Sequence, residues 1–587
     1  MLPFVPGDFN PAFLLCIAGL ICALISSPTA RGVVGLVGIG AGLLQMRSLG
    51  VGPMGDAIFY GITDIGGYEF IPLRMDKLSV IFAIIFHIAA MINVIYGWRH
   101  ATRLESSMGL IYAGSAIGGA LAGDLLTLFS FWELAAISSV FIVWQGGTHA
   151  AFKAGMRYLV VQVLSGLCLL AGIVLHLSAG GSSEFGAFAL FTEAGTNPAA
   201  ALILFAFGLK AAFPFLHTWL QDSYPKATPV GSVLLSAFTT KLAIYTLARG
   251  FAGTDILIPI GCVMTAFPVF FALIENDLRK VLSYSLNNQL GFMVCAIGIG
   301  TPLAINGAAG HAFVHIIYKA LLFMGVGAVV VRVGTAKATE LGGLHKSMPY
   351  TTLFTIIGAL SISAFPLFSG FVAKSMITLA AAKEHMFLAY LVLLFASAGV
   401  LEHSGIKIPY FAFFAHDRFA PSNTGKARPE EAPRPMLIAM GIAAFLCLLV
   451  GFYPPVLYGL LPYETDYHAY TFEHVATQMQ LLMFAILAFM LLKRWKLYPA
   501  EVRSTNLDVD WVWRVPGLRL VNAVVPAVAA VWHGVWQNLQ AANAAVLGLL
   551  TTVHGPGGRL SRYWSVGLSA AVTASVLAAV LITAFMN

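Results

Sequence analysis

The sequence predicts an all-α polytopic membrane protein, and three observations carry that prediction. Of its 587 residues, 59% are hydrophobic and 10% charged, whereas a soluble domain is about a quarter charged. Apolar runs of the ~20 residues needed to cross a bilayer recur through most of the chain. When the loops are assigned to alternate sides, the basic residues gather on one of them. These features exclude a soluble globular enzyme, a disordered chain and a nucleic-acid binder. The net charge of +7 reports orientation in the bilayer, not an anionic partner.

In chain order, the apolar runs place spans near 11–29, 32–49, 78–97, 108–121, 124–144, 156–178, 199–219 and 228–248. They continue near 256–275, 281–298, 304–331, 350–378, 386–414, 435–456, 475–492 and 565–585. This gives about fourteen core helices plus C-terminal extras. The stretch 51–74 alternates and is rich in Gly, the pattern of a small hairpin on one membrane face. The first residues lack a basic n-region, so no cleavable signal peptide is expected. With the N-terminus outside, Arg31, Arg99, Arg103, Lys153, Arg157, Lys226, Arg279, Lys280 and most later basic residues fall inside. Outside are Arg47, Arg74, Lys77, Arg249 and Lys383. The orientation expected places the N-terminus outside.

The six cysteines, Cys16, Cys22, Cys168, Cys262, Cys295 and Cys447, lie in apolar runs without a C-x-x-C. They read as buried thiols, and no metal, cofactor or disulfide framework is expected.

Charges at membrane depth are the functional signal. Lys210, Lys241, Lys319, Lys374 and Lys407 lie inside spans, with Glu133, Glu402, His87, His217, His311, His315 and His403. Each charge costs about 3 kcal/mol at the bilayer centre on the insertion scale, so five lysines point to a buried hydrophilic path. For Lys407 and Glu402, snorkelling from a span end is the equal alternative. A lysine kept from water gives up its proton nearer neutrality, and a neighbouring carboxylate reverses that effect. A Lys–Glu pair of variable separation is therefore a switchable proton site, with Glu133 as the partner candidate. His311, His315 and Lys319 follow at i, i+4 and i+8 on one helix face. They suit a proton relay, with structural hydrogen bonding or a metal site as alternatives. Asp277, Arg279 and Lys280 read as an anchor or a subunit contact, and 415–434 as a charged, Pro-rich linker.

Two spans share an Ala-Phe-Pro interruption, GLKAAFPFLHTW with Pro214 and SISAFPLFSGFVAK with Pro366 and Gly370. Proline inside a helix frees the carbonyl four residues earlier, here that of Lys210. Paired broken helices in corresponding halves point to an inverted repeat around a central path.

The motifs DLLTLFSFWELAAISS, GLKAAFPFLHTWLQDSYPKATPVGSVLLSAFTTK, NDLRKVLSYSLNNQLGFM, HAFVHIIYKALLFM and AFPLFSGFVAK resemble the proton-conducting membrane subunit family. That family is shared by respiratory complex I, membrane-bound hydrogenases and Mrp-type cation/proton antiporters. The resemblance covers roughly 60–455 and implies two inverted five-helix repeats, about 108–250 and 256–414, each with a broken helix. An N-terminal section, 1–107, with a periplasmic hairpin and a C-terminal section, 435–587, flank them. By motif position, Glu133 resembles the family's acid on the fifth helix, and Lys210 the lysine on the broken seventh. Lys241 resembles that on the eighth, and Lys374 the terminal lysine on the broken twelfth. His311, His315 and Lys319 fall where the eleventh-helix relay lies.

The run AFPLFSGFVAKSM looks closest to the D-type subunit of Mrp-type Na⁺/H⁺ antiporters. The implied function is proton translocation coupled to a monovalent cation, Na⁺, beside other membrane subunits. Two alternatives stand: a proton-pumping subunit of a redox complex, and a membrane partner of a soluble zinc protein. The C-terminal addition around 515–550 resembles a lateral surface helix, with a short hairpin or an oblique span as the alternative. Pro526 is expected to break any continuous rod there.

Overall fold

A computed structural model describes residues 9–193, 195–419, 428–498, 502, 506–560 and 565–586. The chain divides into two compact units, Met1–Asn506 and Leu507–Asn587. Among the described residues, twelve helices are long and apolar enough to cross a membrane, and three shorter apolar helices accompany them. The chain is thus an all-α polytopic membrane protein. The expected linker core at 420–427 lies outside the described residues.

The first unit opens with α1 (Ala12–Leu24) and α2 (Pro28–Ser48). The Gly-rich segment then forms a nested hairpin. Ile58–Tyr60 pairs antiparallel with Leu73–Met75, and Thr63–Ile65 with Tyr68–Phe70. Next come α3 (Lys77–Tyr96), α4 (Arg103–Leu121), α5 (Leu125–Trp144), α6 (His149–Ser178) and α7 (Pro198–Ala211). A short helix α8 (Thr218–Ser223) precedes α9 (Pro229–Ala237), α10 (Thr239–Gly250), α11 (Leu257–Ile274) and α12 (Leu278–Ile299). Then follow α13 (Pro302–Val333), α14 (Pro349–Ile362), α15 (Ser369–Lys383), α16 (Phe387–Phe414), α17 (Arg434–Phe452) and α18 (Phe472–Arg494).

Local chemistry sets these ends. Asp76, Thr102, Asp124, Thr148, Asn197, Thr228, Asp277 and Thr301 each accept a backbone N–H as N-caps. Prolines 198, 229 and 302 sit in the first turn, where no intrahelical N–H bond is lost. Gly300 and Gly334 close α12 and α13 at φ +73° and +85°, a left-handed conformation that favours glycine. Helices α11 and α12 pack so closely that a Cβ at Gly261 would stand 2.3 Å from the Cys295 nitrogen. The long helix α13 is buried over most of its length among α3, α9, α12, α14, α15 and α17.

Three expected spans are discontinuous. The 199–219 run ends at Ala211, before Pro214, and turns through Ala212 and Phe215 at φ +62° and +67°. The 350–378 run divides into α14 and α15, with Ala364 and Leu367 at φ +54° and +74°. The 228–248 run divides at Phe238 without a proline or glycine. Asp277 caps α12 by accepting from the Arg279 and Lys280 backbone, Lys280 pairs with Glu275 at 2.8 Å, and Arg279 donates to the Ala227 carbonyl. This segment therefore has work inside the fold.

The second unit holds one helix, α19 (Asp510–His554), and α20 (Val566–Met586). Pro526 does not break α19, contrary to the expectation from sequence. Proline's φ is compatible with a helix, and the loss of one hydrogen bond is absorbed within 45 residues. At 1.5 Å per residue this helix runs for about 68 Å, over twice a ~30 Å hydrocarbon core. A short hairpin is excluded for this stretch.

Candidate functional site

Lys210 is the penultimate residue of α7 and is buried. Its Nζ donates to the Trp132 carbonyl on α5 at 2.7 Å and lies 4.1 Å from the centre of the Trp132 ring. The Trp132 indole donates to Ser165 at 3.1 Å, and Ser165 donates to the Ala206 carbonyl on α7. The chain break beside Lys210 leaves carbonyls to satisfy, and the Trp219 indole donates to that of Leu209.

Glu133, next to Trp132, points its Oε1 into buried space without a hydrogen-bond partner. Gly166 of α6 makes the room, since a Cβ there would stand 1.7 Å from Oε1. Glu133 and Lys210 interact electrostatically but form no contact ion pair.

A second group lies on α10, α13 and α15. Lys241 Nζ donates to the Ser236 carbonyl at 2.5 Å, at the discontinuity between α9 and α10. His311 bonds through Nε2 to Gln289 Oε1 at 3.1 Å, and Tyr318 donates to the same oxygen at 3.2 Å. The His311 and His315 rings are 6.0 Å apart. Both ring nitrogens of His315, and the Nζ atoms of Lys319 and Lys374, are buried without hydrogen-bond partners. Lys374 lies 4.4 Å over the Phe292 ring. Lys241 acts electrostatically on His311, His315 and Lys319, and Lys374 acts on His311. Five of the seven candidate residues, Lys241, His311, His315, Lys319 and Lys374, therefore share one buried polar region.

Lys210 and Lys241 are not bonded to each other. Hydroxyls meet one another on neighbouring helices. Ser139 of α5 meets Tyr158 of α6 at 2.8 Å, and Thr239 at the start of α10 meets Tyr112 of α4 at 2.6 Å. Tyr158 also reaches Thr239.

Gln289, Trp132 and Gly166 carry the geometry, yet the sequence did not single them out. For Gln289 the signal is the polar triplet Asn287, Asn288 and Gln289 within an apolar span. Lys407 is fully buried, so snorkelling does not describe it. Its ammonium donates to the carbonyls of Ala272, Leu273 and Glu275 at the end of α11.

At one end of the bundle, buried Asp76 binds Arg249 at 2.8 Å and Arg74 at 2.9 Å. Arg74 also pairs with Glu184 at 3.3 Å, so the two guanidiniums share two carboxylates. Burial alone would raise the Asp76 carboxyl. The guanidiniums of Arg249 and Arg74, with the Ser79 N–H, hold it well below the usual carboxylate range.

Residues 122–400, which contain Glu133, Lys210, Lys241, His311, His315, Lys319 and Lys374, match the family described as NADH:quinone oxidoreductase/Mrp antiporter, TM. The chain is 26% identical over 428 residues to hydrogenase-4 component B of Escherichia coli, covering 65% of this chain and 63% of that protein. It is 32% identical over 317 residues to the D-type Na⁺/H⁺ antiporter subunit of Alkalihalophilus pseudofirmus, covering 51% and 64%. It thus spans under two thirds of the length of either relative. Its fold matches a chain of the membrane-bound sulfane sulfur reductase, an archaeal respiratory membrane complex. That match has a TM-score of 0.68 and 22% identity, over 97% of this chain and 99% of the other. The segment 122–400 is thus similar to this antiporter-like family, in keeping with the resemblance its motifs carry.

Proposed function

We propose that this chain is the proton-translocating subunit of a multisubunit monovalent cation/proton antiporter, with Na⁺ as the exchanged ion. The observation that carries the reading is the buried row of ionisable groups with unsatisfied nitrogens. His315, Lys319 and Lys374 have no protein hydrogen-bond partner, at a cost of about 1–3 kcal/mol or more per buried group. Groups kept at that cost, in a segment similar to an antiporter-like family, fit proton transfer better than packing.

In this mechanism protons enter near Glu133 and Lys210. A proton on Lys210 strengthens its attraction to Glu133, and its departure relaxes the pair. The hydroxyls of Ser139, Tyr158, Thr239 and Tyr112 span the helices toward Lys241. His311 and His315 then connect Lys241 with Lys319 and Lys374. Other membrane subunits complete the complex, which lies in the bacterial inner membrane with the N-terminus periplasmic. The sections 1–107, 108–250, 256–414 and 435–587 serve as N-terminal helices with a periplasmic hairpin, two inverted repeats and a C-terminal extension.

The test is Lys210→Ala in everted membrane vesicles carrying the whole complex. Cation-driven dissipation of a pH gradient is expected to vanish while the complex stays assembled. Normal dissipation refutes the role.

A second reading, a proton-pumping subunit of a redox-driven complex, draws support from the hydrogenase-4 component B likeness. Co-purification with iron–sulfur subunits in mild detergent would favour it.

A further inference from the structure

Helix α16 changes character midway. It is α-helical to Val400, then makes a π turn over Leu401–Ile406. Such wide turns are rare and frequently mark functional sites. At its foot, Gly405 fits against the break between α14 and α15, where a Cβ would stand 2.2 Å from Ser363 Oγ. The turn is thus seated beside the interruption that precedes Lys374.

His403, in the middle of this turn, is fully buried. Its Nδ1 is 2.8 Å from Ser404 Oγ, and Ser404 donates onward to Ser285 Oγ on α12 at 2.7 Å. A hydroxyl has one hydrogen, and here Ser285 receives it. Nδ1 therefore carries the proton in the bond to Ser404, and Nε2 presents its lone pair. That Nε2 is buried and has no hydrogen-bond partner. Lys319 of α13, Lys374 of α15 and Lys407 of α16 all act electrostatically on the ring. Glu402, half-buried on the same turn, interacts with Lys407. Lys407 is held by three carbonyls, so Lys319 and Lys374 are the neighbours without hydrogen-bond partners. An acceptor nitrogen without a donor, among lysines from three helices, has the chemistry of a proton acceptor.

We propose that His403 is a further relay residue of this path, taking a proton at Nε2 from Lys319 or Lys374 and releasing one from Nδ1 to Ser404. The inference rests on the proton-conducting reading above. Arrival at Nε2 makes an imidazolium. As the Nδ1 proton moves to Ser404 Oγ, the Ser404 hydrogen moves to Ser285 Oγ, and the Ser285 hydrogen passes to a water molecule in the path. The ring is left neutral in the other tautomer, and a turn of the ring with rotation of the two hydroxyls resets it for the next proton.

The experiment compares His403→Gln, His403→Asn, Ser404→Ala and Lys210→Ala in everted vesicles carrying the whole complex. Rates of cation-driven proton movement are normalised to assembled complex. Both His403 variants, which cannot carry a proton, are expected to lose at least about tenfold. Ser404→Ala, which keeps the imidazole but removes the acceptor of its Nδ1 proton, is expected to lose at least about threefold. Wild-type rates in His403→Gln or in Ser404→Ala, or failure of both His403 variants to assemble, overturn the relay. Normal transport in Lys210→Ala instead overturns the conducting reading itself.

Discussion

Lys210 is bonded to the backbone of Trp132 at 2.7 Å and not to the carboxylate of the adjacent Glu133. The ammonium and the carboxylate attract each other without touching. A contact pair in this low-dielectric setting would be hard to separate. A pair held apart by a fixed backbone anchor responds to small changes in charge or hydration.

Gly166 provides the space for Glu133, so Gly166→Ala tests the pair without removing either charge. A Cβ 1.7 Å from Oε1 must displace the carboxylate. Cation-driven proton movement in vesicles should fall by about tenfold or more, equivalent to ~1.4 kcal/mol, with assembly retained. Unchanged rates would show that the placement of Glu133 is unimportant.

Gln289 accepts from both His311 and Tyr318. Gln289→Leu leaves these polar groups without that partner and should cost about 1–3 kcal/mol of stability. A lower midpoint of thermal unfolding in detergent, with slower proton movement, is the expected outcome. An unchanged midpoint would mean that the three groups do not depend on one another.

Asp76 makes its largest contribution above the acid range. Arg249 and Arg74 hold its folded pKa below the unfolded value of about 3.9. Its stabilisation is complete above that value and is lost as pH falls through the folded one. Asp76→Asn leaves the buried Arg249 guanidinium without its counter-charge, while Arg74 keeps Glu184 at 3.3 Å, and should cost about 3–5 kcal/mol. Unfolding midpoints of the variant and the parent should differ most near neutrality and converge toward acid pH. A gap independent of pH would contradict the ion-pair account.

The fold class was legible because bilayer physics writes itself into composition. Apolar runs and the charge asymmetry need no tertiary information. The two helix breaks were legible through Ala-Phe-Pro at 212–214 and 364–366. The break at Phe238 was not, since no proline or glycine marks it and Lys241 meets the Ser236 carbonyl only in the folded chain. Pro526 misled for the opposite reason, because a long helix can absorb one missing bond. The buried lysines could be named from sequence, but their neighbours could not. Gln289 meets His311 across 22 residues, and Lys210 meets Trp132 across 78.

In the proposed path Lys241 is the junction, because its charge bears on His311, His315 and Lys319. The most direct measurement is proton flux through the whole complex, reconstituted in liposomes with a pH-sensitive dye inside and a cation gradient imposed, for the parent and Lys241→Ala. The account predicts that proton and cation movement stop together in the variant while the complex remains assembled. Proton flux at the parental rate in Lys241→Ala would contradict it.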